Sequence, residues 1–313
     1  MDGENETFKV RLGCDPASWF ALKCHSLFEA IITELPNALD PTQSDGIHDM
    51  RVATRRLRSS LRDTEMILER HPSRSASKNF KQLAEILGSV RDEDVAIDAF
   101  ARLSRDCESV KVGERIVRFV ATIKKSRLSA FVRLQKQLSV DFQQDLRHRF
   151  EVSLAALSSK IHLSKYLDID SFRSDITASL SSDLKRVGAR LYDPFDRTGL
   201  HKTRIAVKRL RYSNEFFSEF RSAAAKPISK ELARLQGSLG DTHDRDVWIE
   251  GLSKHTDYTK VKCDPEWVET KIWLISELIK ERTKSYREAI TLLAEWQTRG
   301  FADENGNLID EAK

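Results

Sequence analysis

The segment His48-Asp49-Met50-Arg51-Val52-Ala53-Thr54-Arg55-Arg56-Leu57-Arg58 returns in the second half of the chain as His201-Lys202-Thr203-Arg204-Ile205-Ala206-Val207-Lys208-Arg209-Leu210-Arg211. A second pair of segments matches at nearly the same spacing: Leu87-Gly88-Ser89-Val90-Arg91-Asp92-Glu93-Asp94-Val95 and Leu239-Gly240-Asp241-Thr242-His243-Asp244-Arg245-Asp246-Val247. A period near half the chain describes two homologous lobes rather than a solenoid of short units. The repeated positions are cations as well as apolar residues, so each lobe presents the same anion-binding chemistry.

The chain of 313 residues is long enough for two domains with cores of their own. Twelve Gly and seven Pro are few for that length and favour helix over an all-β structure. Asp15-Pro16 is a helix opening, with Asp as cap and Pro at the first position, and Pro36 closes the run of apolar residues that follows. The repeat helix is read from about Gly46 to about Arg70, stopped before Pro72. A third helix over 75–88 ends near Gly88, and a fourth covers 92–106. The stretch 112–160 carries long amphipathic helices. The second lobe is read as helices near 170–190, 199–222, 227–239, 244–255 and 265–297. The expectation is an all-α chain of two four-helix bundles related by an internal pseudo-twofold duplication, at 8–160 and 165–300, with flexible tails at 1–7 and 301–313.

The net charge is only +4, so the chain is not uniformly basic. Its cations are concentrated instead: residues 48–62 hold five Arg, and 201–211 hold five Lys or Arg. Successive helical residues advance about 100°, which puts His48, Arg51, Arg55, Arg58 and Arg62 in an arc of roughly 80°. Met50, Ala53, Leu57, Leu61 and Thr64 centre on the opposite side. In the second lobe His201, Arg204, Lys208 and Arg211 fill the same arc, while Ala206, Leu210 and Phe217 face inward. Like charges three and four residues apart repel, and Asp49 and Asp63 lie off the stripe. Such a helix needs anions along it. Asp45 and Thr198 are suitable N-caps, which would set each His in a first turn, where unpaired N–H groups favour an anion. Arg56, Lys78, Lys202, Arg209 and Lys230 are candidate additional ligands, with Arg56 and Arg209 lying off the stripe.

Plainer roles exist for the same residues. The stripe can be a solvated basic face, or its Arg can bridge to Asp92, Asp94, Asp244 and Asp246. His48 and His201 can bond across a bundle, Arg56 and Arg209 can form surface ion pairs, and the five Trp can be core. Cys14, Cys24, Cys107 and Cys263 are isolated, read as free thiols in a reducing cytosol with no metal site and no cofactor. The polar, acidic start argues against a secretory signal, and no apolar run approaches bilayer-spanning length.

With these motifs the sequence resembles the conserved histidine α-helical domain family, CHAD. The match lies in His48 to Arg58 with Leu87 to Val95, and in His201 to Arg211 with Leu239 to Val247. The resemblance implies two helical bundles with basic helices lining a central groove, non-catalytic binding of inorganic polyphosphate or similar phosphate and sulfate anions, and association with cytoplasmic polyphosphate granules. Carried over by position, His48, Arg51, Arg55 and Arg58, extended by Arg62, are the first-lobe ligands. His201, Arg204, Lys208 and Arg211 are those of the second. Members are often fused to a triphosphate-processing domain, for which this sequence has no room. Two rival readings stand beside this one. A phosphohydrolase or phosphotransferase would use His48 or His201; a nucleic-acid binder would want aromatic platforms among the cations, and neither stripe carries one, although Tyr212 borders one.

Overall fold

Asp15 opens the first helix as its place before Pro16 predicts, its Oδ1 accepting from the Ala17 and Ser18 amides at 2.8 and 3.3 Å. From there the computed structural model describes residues 15–299, apart from 42, 44, 69–73, 165, 167, 221–225 and 255–264. The tails, Cys14, Arg70, Pro72 and Cys263 lie outside the described residues. Among those described there are ten α-helices, two short 3-10 segments and no strand. The helices are α1 (Pro16–Thr33), α2 (Leu35–Leu39), α3 (Gly46–Ile67), α4 (Arg74–Asp106), α5 (Val110–Gln137), α6 (Val140–His162), α7 (Ile169–Gly188), α8 (Arg197–Phe216), α9 (Lys226–Lys254) and α10 (Pro265–Arg299).

Several boundaries differ from the sequence reading. Gly88 and Gly240 do not end helices: α4 runs 33 residues without a break, about 50 Å at 1.5 Å per residue, and α9 runs 29. A mid-helix glycine costs only about 1 kcal/mol. The buried neighbours Leu87, Val90 and Leu239 outweigh it at about 1.5–3 kcal/mol each. Pro36 opens the short α2 rather than closing a run. Thr198 is not the cap of α8; Asp196 is, its Oδ1 accepting from the Gly199 amide at 2.7 Å. His201 therefore sits in the second turn, and only His48 lies in a first turn. Asp45 precedes α3 but makes no side-chain cap bond. Gly46 is required by a close approach, since a Cβ there would lie 2.3 Å from the Asn37 carbonyl carbon.

The two motif helices, α3 and α8, pack against each other at the centre. Each buries the face the periodicity assigned to it: Met50, Ala53, Leu57 and Leu61 on α3, and Ala206, Val207 and Leu210 on α8, with Phe217 just beyond. The halves 8–160 and 165–300 do not keep separate cores. Trp19 of α1 stacks on Phe217 at 5.2 Å and meets Phe216 edge-on at 5.1 Å, both from the second half. One continuous apolar cluster runs through both halves. A smaller cluster joins the far ends of the α4/α5 and α9/α10 hairpins through Phe100, Ile116, Leu252 and Leu274. Trp19 and Trp296 are core; Trp248, Trp267 and Trp273 are only half-buried. Cys24 is a buried free thiol and Cys107 a half-buried one. No helix among the described residues is long and apolar enough to cross a membrane.

Candidate anion-binding site

Where α3 and α8 meet the middles of α4 and α9, they leave a cavity of about 450 Å³. Its basic side chains come from four helices: His48, Arg51 and Arg55 on α3, Arg91 on α4, Arg204 and Lys208 on α8, and His243 on α9. The acids on its wall are Asp92, Asp241 and Asp244. Asp92 accepts from Arg51 at 3.4 Å, and Asp241 is held by Arg245 at 2.9 Å, outside the cavity. Arg55, Arg91, Arg204 and Lys208 have no ion-pair partner among the described residues, and the buried Nε of Arg55 meets no hydrogen-bond acceptor among them. Among the described residues no three His, Cys, Asp or Glu side chains converge to hold a metal ion.

The electrostatics follow from crowding. Burial, reinforced by Arg204, Arg55, Arg62 and Arg51, pushes the Lys208 ammonium down to about 7. Burial, then Arg204 and His201, pushes His243 down to about 4. His48 is held below the usual histidine range by burial and Arg91, and His201 by burial, Arg204 and Lys208. Asp244 moves up because burial outweighs the attraction of Arg204. The downward shifts of Lys208 and the histidines point to a site where positive charge is in excess, and all of the shifts to one where water is scarce. Added anions would reverse the cationic shifts.

The remaining stripe residues sit outside the cavity lining. Arg58 is half-buried near Arg62 and Glu85, and burial dominates its downward shift. Arg62 donates to Asp63 Oδ1 at 3.1 Å and to Ser59 Oγ at 3.1 Å. Arg211 donates to Glu215 at 2.8 Å and lies 5.9 Å from the Tyr212 ring, which Arg55 faces at the same distance. His201 is exposed, but its ring stands 5.5 Å from that of His243. Lys78, Lys202 and Lys230 are exposed and away from the cavity. Arg56 and Arg209 form ion pairs, the half-exposed Arg56 to Glu215 at 3.0 Å and the more buried Arg209 to Asp63 at 2.9 Å and Asp183 at 3.2 Å, and in doing so they clamp α3 to α8. Asp94 and Asp246, read as partners for the stripe, instead bind Arg127 and Arg282, each at 2.7 Å.

Arg91, Gln236 and His243 are site residues that the sequence reading did not assign. The signal was present, because Arg91 and His243 hold the same place in the repeated Leu-Gly segments. Two glycines belong with them. At Gly237 and Gly240 of α9 an added Cβ would meet nothing within 4 Å, so these positions leave the cavity open rather than relieve a contact.

The family model described as CHAD domain matches residues 24–253. The crystal structure of the CHAD domain from the plant Ricinus communis superposes with a TM-score of 0.69 at 22% identity, covering 89% of this chain and 91% of that one. PptA from Streptomyces chartreusis superposes with a TM-score of 0.65 at 12% identity, covering 90% of this chain and 100% of its own. Two proteins of Mycobacterium tuberculosis, Rv2226 of strain H37Rv and MT2285 of strain CDC 1551, are each 27% identical over 217 residues, 66% of this chain. The matched region spans 40% of the length of these curated relatives.

Proposed function

The chain belongs to the CHAD domain family, and from that premise we propose that it binds inorganic polyphosphate, without transforming it, in the cavity shared by α3, α4, α8 and α9. One observation carries this reading: Arg55, Arg91, Arg204 and Lys208 surround an open space and none of them has an ion-pair partner among the described residues, Asp244 only attracting Arg204 from the wall. Burying cations together is costly unless they are paired. A linear phosphate chain supplies regularly spaced charges and acceptor oxygens for Arg forks and the Lys ammonium. The cations come from both halves, which supports a single ligand threading between them. The equivalent Arg56 and Arg209 each reach a carboxylate on the other motif helix, and the equivalent Asp94 and Asp246 each hold an Arg of the helix that follows, which also supports descent of the halves from one duplicated unit. Recruitment to cytoplasmic polyphosphate granules would follow from the same affinity.

Titration with polyphosphates of graded length tests the proposal. Log affinity should fall linearly with log salt, by roughly 0.7–0.9 per phosphate contacted, and a flat dependence would overturn it. Incubation with polyphosphate and magnesium, with released phosphate measured, separates binding from hydrolysis: steady release would make the protein an enzyme.

A further inference from the structure

Next to the basic cavity, the far ends of the α4/α5 and α9/α10 hairpins leave an apolar pocket of about 620 Å³, a size typical of small-molecule sites. One aromatic from each helix lines it, in an unbroken chain of ring contacts. Trp248 meets Phe100 at 5.4 Å, Phe100 meets Phe119 at 5.2 Å, and Phe119 meets Trp267 at 5.4 Å. The two spaces adjoin: Asp92, Val247 and Trp248 line both. Lys271 also lines the apolar pocket, at 6% exposure and with no ion-pair partner among the described residues. Glu93 lies on the same wall, accepting from Ser126 Oγ at 2.6 Å.

We infer that the two compartments form one site for a nucleoside polyphosphate, with the phosphates in the basic cavity and the base in the aromatic pocket. Every base has a π-face, and stacking on aromatic side chains is favourable whatever the base. The Lys271 ammonium donates to a ring nitrogen or carbonyl oxygen of the base, and the Asp92 and Glu93 carboxylates accept from an exocyclic amine. A hydrocarbon tail would fill the same pocket but offer nothing to the Lys271, Asp92 and Glu93 side chains on its wall. An inorganic phosphate chain would leave the rings unused. The inference rests on the anion-binding reading of the basic cavity and adds what the anion carries.

Calorimetry at fixed ionic strength and with chelator present tests it, using ATP, inorganic tripolyphosphate, farnesyl diphosphate and pyrophosphate. ATP should bind about a hundredfold or more tighter than tripolyphosphate, the scale that stacking and one charged hydrogen bond together provide. Phe119→Ala and Lys271→Met should erase that preference while leaving tripolyphosphate affinity unchanged. Gly251→Leu, where an added Cβ meets nothing within 4 Å, should do the same by filling the pocket without removing a core side chain. Arg204→Ala should weaken both ligands together. Equal affinity for ATP and tripolyphosphate overturns the inference but spares the anion site. So does a larger gain for farnesyl diphosphate over pyrophosphate than for ATP over tripolyphosphate. Failure of tripolyphosphate itself to bind overturns the anion site and the inference with it.

Discussion

The two motif helices present the same arc with different chemistry. At the position where α3 carries Arg55, α8 carries Lys208, and where α4 carries Arg91, α9 carries His243. At these two positions the first half therefore contributes charges that persist at any physiological pH. The second contributes groups that burial has moved toward or below neutrality, Lys208 to about 7 and His243 to about 4. Geometry is matched across the cavity, but at these two pairs of positions the adjustable charge lies on the second half, with His48 the titratable group of the first. A repeat can keep a site's shape while single equivalent positions exchange permanent for adjustable charge.

The largest effect should come from emptying either side. Arg51→Ala with Arg55→Ala, and Arg204→Ala with Lys208→Ala, should each weaken long-chain polyphosphate by about a hundredfold or more, at about 1.5–3 kcal/mol per charged contact. Melting temperature should hold or rise, because crowded like charges are being removed. Halved stoichiometry at unchanged affinity would show that the sides bind separately. Next, acidity should act through the second half. Below about pH 7 Lys208 is charged in the free protein, and above it the proton must be regained on binding. Affinity should fall by about tenfold or more from pH 6 to pH 9, and Lys208→Arg should flatten that slope. The ligand-free fold has the opposite sign. The lysine is depressed from its ordinary value of 10.5, so the folded state holds fewer protons than the unfolded state between about 7 and 10.5. Its contribution to stability rises with pH through that window.

A smaller effect is expected from filling the cavity without touching a charge. Gly240→Leu should cost about tenfold in affinity, while Gly240→Ala should raise the melting temperature, consistent with about 1 kcal/mol of helix propensity. The smallest effect on binding should come from Arg209→Ala, which breaks the α3–α8 clamp to the buried Asp63 and lowers stability with little change in affinity. A large loss of affinity at unchanged stability would place Arg209 in the ligand site after all.

How much of this was legible in the sequence divides along the same physical lines. The faces of α3 and α8 were readable because a 3.6-residue period is a local property. The clamps were not, because what Arg56 and Arg209 meet depends on how two helices cross. Gly88 and Gly240 misled as helix stops because propensity is weak beside the burial of Leu87, Val90 and Leu239. Arg62 and Arg211 belong to the arc by angle, yet each is occupied by a neighbouring carboxylate that an angular plot does not weigh. Arg91 and His243 were hidden in a segment read for its acids.

The stacking of Trp19 on Phe217 ties the first helix to the second half, so the apolar interior has no seam at which the molecule could melt in two stages. Heating should give a single cooperative transition, and a protease cut in the segment joining α6 to α7 should not release two stable fragments. The anion cavity lies on that same junction. Occupancy would then act on the whole chain by mass action, raising the resistance of every helix to unfolding as free ligand rises above its dissociation constant.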